Sequence, residues 1–227
     1  VSSTEIKLYA YFTYDDCNIS IILPGGNVIN QKVAYNSPIN QIEVPVGNQY
    51  VVRFTTDYQH LNEFKGNITE DIRLYAVLGY KISFDTKTKH KIDSIYECEG
   101  KEVALPVPSG RTYDKFLGWE YEGQTYNDYF ELKNKNVTLT AKWESNGWTY
   151  IYTAEDFLAI SKNLAGKYCL ENDITLNKYQ PRDKYIWNCA ANTDYTSLPQ
   201  GFTGILDGQN HTITYDLYIT IDGKKSN

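Results

Sequence analysis

The chain of 227 residues is 41% apolar and 22% charged, an ordinary composition for globular modules and enough length for two or three of them. A net charge of −6 and a pI near 5.1 exclude nucleic acid as a partner, because affinity for phosphate backbones rests on many Lys and Arg contacts. No apolar run approaches the roughly 18 residues of a membrane helix, so no membrane span is expected in this segment.

The first element is Ile6-Lys-Leu-Tyr-Ala-Tyr-Phe12, whose alternating apolar and polar positions predict a half-buried strand. Its pattern returns as Ile72-Arg-Leu-Tyr-Ala-Val-Leu78 and as Val137-Thr-Leu-Thr-Ala-Lys-Trp143. Leu8, Leu74 and Leu139 hold the same place in the three copies, a period of about 65 residues and the mark of an internal repeat. Each copy is read as the closing strand of a module. Residues 1–12 then close a preceding repeat, 13–78 and 79–145 are two repeats, and 146–227 is a separate region. The absence of Met and the strand-like opening within a repeat predict a segment of something longer.

Within 13–78, strands are predicted over 19–23 and 28–35, joined by the turn Pro24-Gly-Gly-Asn27, then over 42–46, 49–55 and 72–78. Within 79–145 the same order recurs: strands over 81–85, 92–98, 103–107 and 116–121, then the closing strand 137–143. Here Pro106-Val-Pro108, Gly110, Tyr113, Phe116-Leu-Gly-Trp119, Tyr126-Asn127 and Val137-Thr-Leu-Thr-Ala-Lys-Trp143 resemble the internalin-type B repeat, also called the Listeria-Bacteroides repeat. Residues 13–78 are similar but degenerate, with Arg53-Phe54 where Gly-Trp would stand and Leu78 in place of the final Trp. The resemblance implies a small β-grasp-like sheet, with Trp119 and Trp143 filling its core.

After Asn146 the pattern changes. Thr153, the acidic Glu155 and Asp156, apolar positions at 157, 158, 160 and 164, and Gly166 predict a helix with its start and stop signals in place. Strands are predicted over 167–170, 174–176, 202–206, 211–215 and 217–221, with a polar connection over 177–200. This region resembles the opening of a GLUG-type or pectate-lyase-like right-handed β-helix, with Asp207-Gly208 at a corner. The expected fold class is therefore mainly β, built of α+β modules: tandem β-grasp-like repeats plus a C-terminal helix-capped β-helix-like region.

Chemistry-bearing patterns are sparse. His60, His90 and His211 fall in different modules, and there is no GxSxG, HExxH, P-loop or GxGxxG, so neither an enzyme nor a cofactor or metal is expected. Cys17, Cys98, Cys169 and Cys189 lack zinc-ligand spacing; they read as isolated thiols, with a Cys169–Cys189 disulfide as the alternative. Trp148 and Trp187 are candidates for stacking on sugar rings. Lys87, Lys89 and Lys91 are a candidate contact for an anionic glycan, against the plainer reading of a solvated loop.

The links near 12–16, 78–80 and 144–148 are short and poor in Gly, Ser and Pro, which predicts a semi-rigid rod with Trp148 and Tyr150 packing back onto the preceding module. The function expected from this pattern is a non-catalytic, monomeric segment of a large protein of the bacterial cell surface. It would act extracellularly as a stalk and an adhesin for a host-cell or matrix protein or glycan. The alternative is the presenting region of a glycan-active β-helix protein, a polysaccharide lyase or hydrolase whose active site lies downstream.

Overall fold

A computed structural model describes residues 14–176 and 202–214, together with the backbone of strands at 219–221 and 224–226. The expected strand at 6–12 and the whole 177–200 connection, with Trp187 and Cys189, lie outside the described residues. In chain order the strands are β1 (Cys17–Ile22), β2 (Val28–Val33), β3 (Ser37–Pro38), β4 (Tyr50–Thr55), β5 (Asn67–Ile68), β6 (Ile72–Asp85), β7 (Ile95–Glu97), β8 (Glu102–Ala104) and β9 (Lys115–Tyr121). They continue as β10 (Gln124–Tyr126), β11 (Tyr129–Glu131), β12 (Val137–Glu144) and β13 (Trp148–Ile151). After the helix α1 (Ala154–Leu158) come β14 (Lys167–Leu170), β15 (Ile174–Thr175), β16 (Ile205–Asp207), β17 (Ile213–Thr214), β18 (Ile219–Ile221) and β19 (Lys224–Ser226). The protein is mainly β, arranged in several sheets with no closed barrel among the described residues.

Two compact units divide the chain. The first takes the described residues up to Ser83, with Ser94–Ala104 and Tyr129–Val137. β1 and β2 form the hairpin the Pro-Gly-Gly-Asn turn predicts, with Ile22 opposite Val28. β1 then lies parallel to β6, Ile21 opposite Leu74, while β4 and then β7 pair antiparallel with β6. The alternation read from sequence is realised: Cys17, Ile19 and Ile21 of β1 and Leu74 and Ala76 of β6 are all buried in one core with Phe54 and Ile68. Each fully buried Leu or Ile contributes roughly 1.5–3 kcal/mol relative to exposure.

Two expectations in this unit are corrected. Residues 42–46 are not a strand; Pro45 cannot donate to a ladder, and the segment instead hangs from β2 by the Gln31 side-chain amide donating to the Glu43 carbonyl at 2.7 Å. Nor is there a link at 78–80, where β6 runs without a break from Ile72 to Asp85. Gly79 sits between the β4 and β7 pairings because a Cβ there would stand 2.2 Å from the Glu97 carbonyl oxygen and 2.6 Å from Val52.

The second unit comprises Phe84–Asp93, Leu105–Asp128 and the residues from Thr138 onward. β9 pairs antiparallel with β10 and β12, and Leu139 and Ala141 point inward like their counterparts Leu74 and Ala76. Trp119 is fully buried, flanked by Phe84 and Phe116 at ring-centroid distances of 4.9 and 5.6 Å, and its indole N–H donates to the Pro106 carbonyl at 2.8 Å. That contact ties the proline turn to the aromatic-x-Gly-Trp segment. Gly118 has φ of +125°, and a Cβ there would meet Asn127 Oδ1 at 2.3 Å and the Tyr126 carbonyl at 2.8 Å.

Beyond β12, β13, β14 and β16 form a parallel sheet, and β15 and β17 a second parallel pair. Ile151, Phe157, Ile160, Tyr168, Leu170 and Ile174 fill the core beneath them. The helix begins where predicted, with Thr153 and Asp156 forming a reciprocal capping box. It is shorter than expected: α1 stops at Leu158 and tightens into a 3₁₀ turn over Ala159–Lys162. The Ser161 hydroxyl donates to the Leu158 carbonyl at 2.9 Å, a competing bond that favours the tighter turn.

Candidate functional site

The densest polar constellation surrounds the loop Pro108–Asp114 in the second unit, and its partners come from four segments remote in sequence. His90 Nδ1 lies 3.1 Å from Ser109 Oγ, and the Tyr152 hydroxyl donates to the Gly110 carbonyl. The Thr112 N–H donates to Glu171 Oε1 at 2.9 Å. The Tyr113 N–H donates to the Tyr150 hydroxyl at 3.2 Å, and the Tyr113 hydroxyl donates to Asp207. Asn146 closes the loop, its side-chain amide donating to the Tyr113 carbonyl at 2.6 Å and its backbone N–H to Asp114 Oδ1 at 2.9 Å.

Asp114 is the electrostatic centre. Its side chain is fully buried, Oδ2 accepts no hydrogen bond among the described residues, and Arg111 Nε faces it at 3.4 Å. The Arg111 guanidinium also lies 5.7 Å from the ring centres of both Trp143 and Tyr150. One cation thus compensates a buried carboxylate while covering two aromatic faces.

These surroundings fix protonation states. Burial, then the Asp114 carboxylate, pushes the Tyr150 phenol well above its ordinary value. Burial, then Glu171, pushes Tyr152 up to about 12. The Cys169 thiol is pushed up to about 12 by burial and by Glu171. The hydrogen bond from Tyr113 holds Asp207 below the usual carboxylate range and raises Tyr113 in return. At neutral pH the Tyr113, Tyr150 and Tyr152 phenols and the Cys169 thiol therefore keep their protons, an arrangement that locks a loop rather than one that activates a nucleophile. Among the described residues no three His, Cys, Asp or Glu side chains are grouped to hold a metal.

The sequence-predicted contacts fall as follows. Trp148, half-buried, stacks on Tyr113 with ring centroids 4.1 Å apart. Lys87 pairs with Asp85 at 2.7 Å. Lys89 reaches the helix cap, 2.8 Å from Asp156 and 3.3 Å from Thr153 Oγ1. Lys91 is exposed and makes no ion pair among the described residues. Two of the three ammonium groups are thus engaged with different carboxylates. Glu171 carries no local signal, because its partner Thr112 comes from another loop; Arg111 and Asp114 pair three residues apart within one loop, a spacing that fits many solvated ion pairs. Asp207 reads in sequence only as a corner and Tyr113 only as a position of the sequence pattern.

No protein-family model matches the chain. It is similar to a protein of Evansella cellulosilytica described as a "putative membrane protein", with 22% identity over 184 residues that cover 76% of this chain. The chain spans only 28% of that relative's length. Among the described residues no helix is long and apolar enough to cross a membrane.

Proposed function

We propose that this chain is a non-catalytic segment of a large, extracellular bacterial surface protein, a spacer built from B-repeat-like modules that also serves adhesion. The observation that carries the reading is the loop clamp: Tyr113 and Asp114, just before the aromatic-x-Gly-Trp segment, are held by Asn146, Tyr150 and Asp207 of the region that follows. These part-buried polar bonds favour a stiff junction over a flexible linker, which supports a spacer role. The parallel start of β1 against β6 and the hairpin beside it support a β-grasp-like module. The similarity to part of a longer protein described as a "putative membrane protein" supports a place at the cell envelope.

Antibodies raised against the purified chain should label intact cells of the producing organism. Labelling that appears only after permeabilisation rejects the surface reading. Host cells or matrix proteins should be retained on surfaces coated with the chain, and failure of retention leaves the spacer alone. A second reading, the presenting region of a glycan-active β-helix protein, draws support from the parallel β13–β14–β16 and β15–β17 pairings. Depolymerisation of polysaccharide by a longer form of the protein, lost when residues outside this segment are removed, would favour it.

A further inference from the structure

The first unit carries a groove along β4. Two contiguous clefts of about 570 and 590 Å³ share Ile42 and Val51 and run along β4 between that strand and the irregular segment after the 3₁₀ turn Ile39–Gln41. Ile39, Ile42, Val44, Val51 and Phe64 form an apolar strip along them, and Asn40, Glu63, Lys65 and Asn67 add polar groups to the rim of the first. Tyr50 and Tyr96, exposed and packed edge-on with ring centroids 4.8 Å apart, line the second cleft.

Two further features say what such a groove accepts. β4 pairs with β6 on one edge only. On the other edge the 62–64 segment bonds to Phe54 and Thr56, but among the described residues no backbone hydrogen bond outside the β6 pairing reaches Tyr50–Arg53. That stretch is an open sheet edge beside an apolar trough. The second feature is Arg53, which lines the groove half-buried and makes no hydrogen bond or ion pair among the described residues, whereas the neighbouring Lys65 is neutralised by Glu63 at 3.0 Å. An uncompensated guanidinium at an apolar wall favours a carboxylate.

We propose that this groove binds an extended polypeptide segment of another protein, apolar at alternate positions and carrying one acidic side chain. The segment adds as a strand to the Tyr50–Arg53 edge and places its carboxylate on Arg53. Backbone bonds supply the register, the trough takes every second side chain, and Arg53 selects the charge. A glycan would satisfy the guanidinium but leave the backbone edge unpaired. The inference does not depend on the chain being a surface spacer.

The test is a titration of the full chain, labelled with ¹⁵N, with a short synthetic peptide of alternating Val and Ser around a central Asp. Amide resonances of Val51, Val52 and Arg53 should shift together and saturate. Arg53→Glu should weaken binding about tenfold or more, as expected for loss of a charged hydrogen bond, and a peptide with Lys in place of Asp should recover it. A peptide N-methylated along the bonding edge should fail on the unaltered chain, which keeps the test decisive if Arg53→Glu does not fold. The proposal is overturned by equal binding to Arg53→Glu, by tolerance of N-methylation, or by no shift at these amides. It is equally overturned if these amides respond only to an oligosaccharide such as cellohexaose, or to the chain's own concentration without peptide.

Discussion

Trp148 lies almost flat against Tyr113, with 15° between the ring planes and 4.1 Å between their centroids. This contact adds to the bonds of Asn146 and Tyr150 in holding the start of β13 to the Pro108–Asp114 loop, while the Tyr113 hydroxyl reaches Asp207 on β16. Trp148→Ala should destabilise by about 1–2 kcal/mol, from lost apolar burial plus the stacking contribution. Trp148→Phe should restore most of it. Urea unfolding followed by far-ultraviolet circular dichroism measures both.

Arg111 and Asp114 predict a larger effect. Removing Arg111 leaves the Asp114 carboxylate buried without compensation, so Arg111→Met should cost about 3 kcal/mol. Replacing both residues by apolar ones of similar volume should recover much of that loss. A double-mutant cycle in urea reads the coupling, and simple additivity of the two single variants would show that the pair is not a unit.

Gly118→Ala places a methyl group against the Tyr126 carbonyl and Asn127 in a backbone region that L-residues rarely adopt. The loss should exceed about 1 kcal/mol. Gly123→Ala, which meets nothing within 4 Å but shares a positive φ, should cost less. Thermal midpoints of the two variants check the order.

Stability should fall at both ends of the pH scale. Burial opposes ionisation of Asp156, but bonds from Lys89, the Tyr152 N–H and Thr153 hold its folded pKa below normal. Asp173, bonded by Thr212 and His211, and Asp207 are lowered in the same direction. Their contribution is present above the unfolded carboxylate value of about 4 and is lost as pH falls through the folded values. Tyr152, raised to about 12, works in the opposite direction: its contribution is whole below the unfolded value of about 10 and disappears as pH rises from there towards 12. Urea midpoints across the pH range should show a plateau between these limits. Lys89→Met should flatten the acid limb.

Cys17 and Cys169 are buried free thiols, whereas Cys98 is half-buried. Burial and nearby carboxylates push all three upward, so accessibility decides their order. Brief alkylation of the native chain near pH 8 should mark Cys98 ahead of Cys17 and Cys169, read by peptide mass spectrometry.

What could be read in advance follows the range of the interactions. Alternation places Leu74, Ala76, Leu139 and Ala141 inward because a strand's period is a local property. Thr153 marks the helix start because its cap partner is three residues away. The helix end was misjudged, since Ser161 bonding back to Leu158 leaves no trace in apolar periodicity. The loop clamp was beyond reach for a related reason: Tyr113 and Asp207, or Thr112 and Glu171, meet only after several strands have been placed. Residues 42–46 looked like a strand by composition, but an apolar run becomes one only where a neighbour offers a matching edge.

The unbroken β6 bears on how this polypeptide can be divided or recombined. A cut at the boundary expected from sequence, between Leu78 and Tyr80, would pass through the middle of a strand and part the residues that pair with β4 from those that pair with β7. Fragments made there would each carry a severed strand end and be prone to aggregate. A single residue inserted beside Gly79 would turn every following side chain of the strand to the opposite face. Break points that leave β6 whole therefore lie in the turns on either side of it, not at the Leu-to-Leu spacing of the sequence pattern.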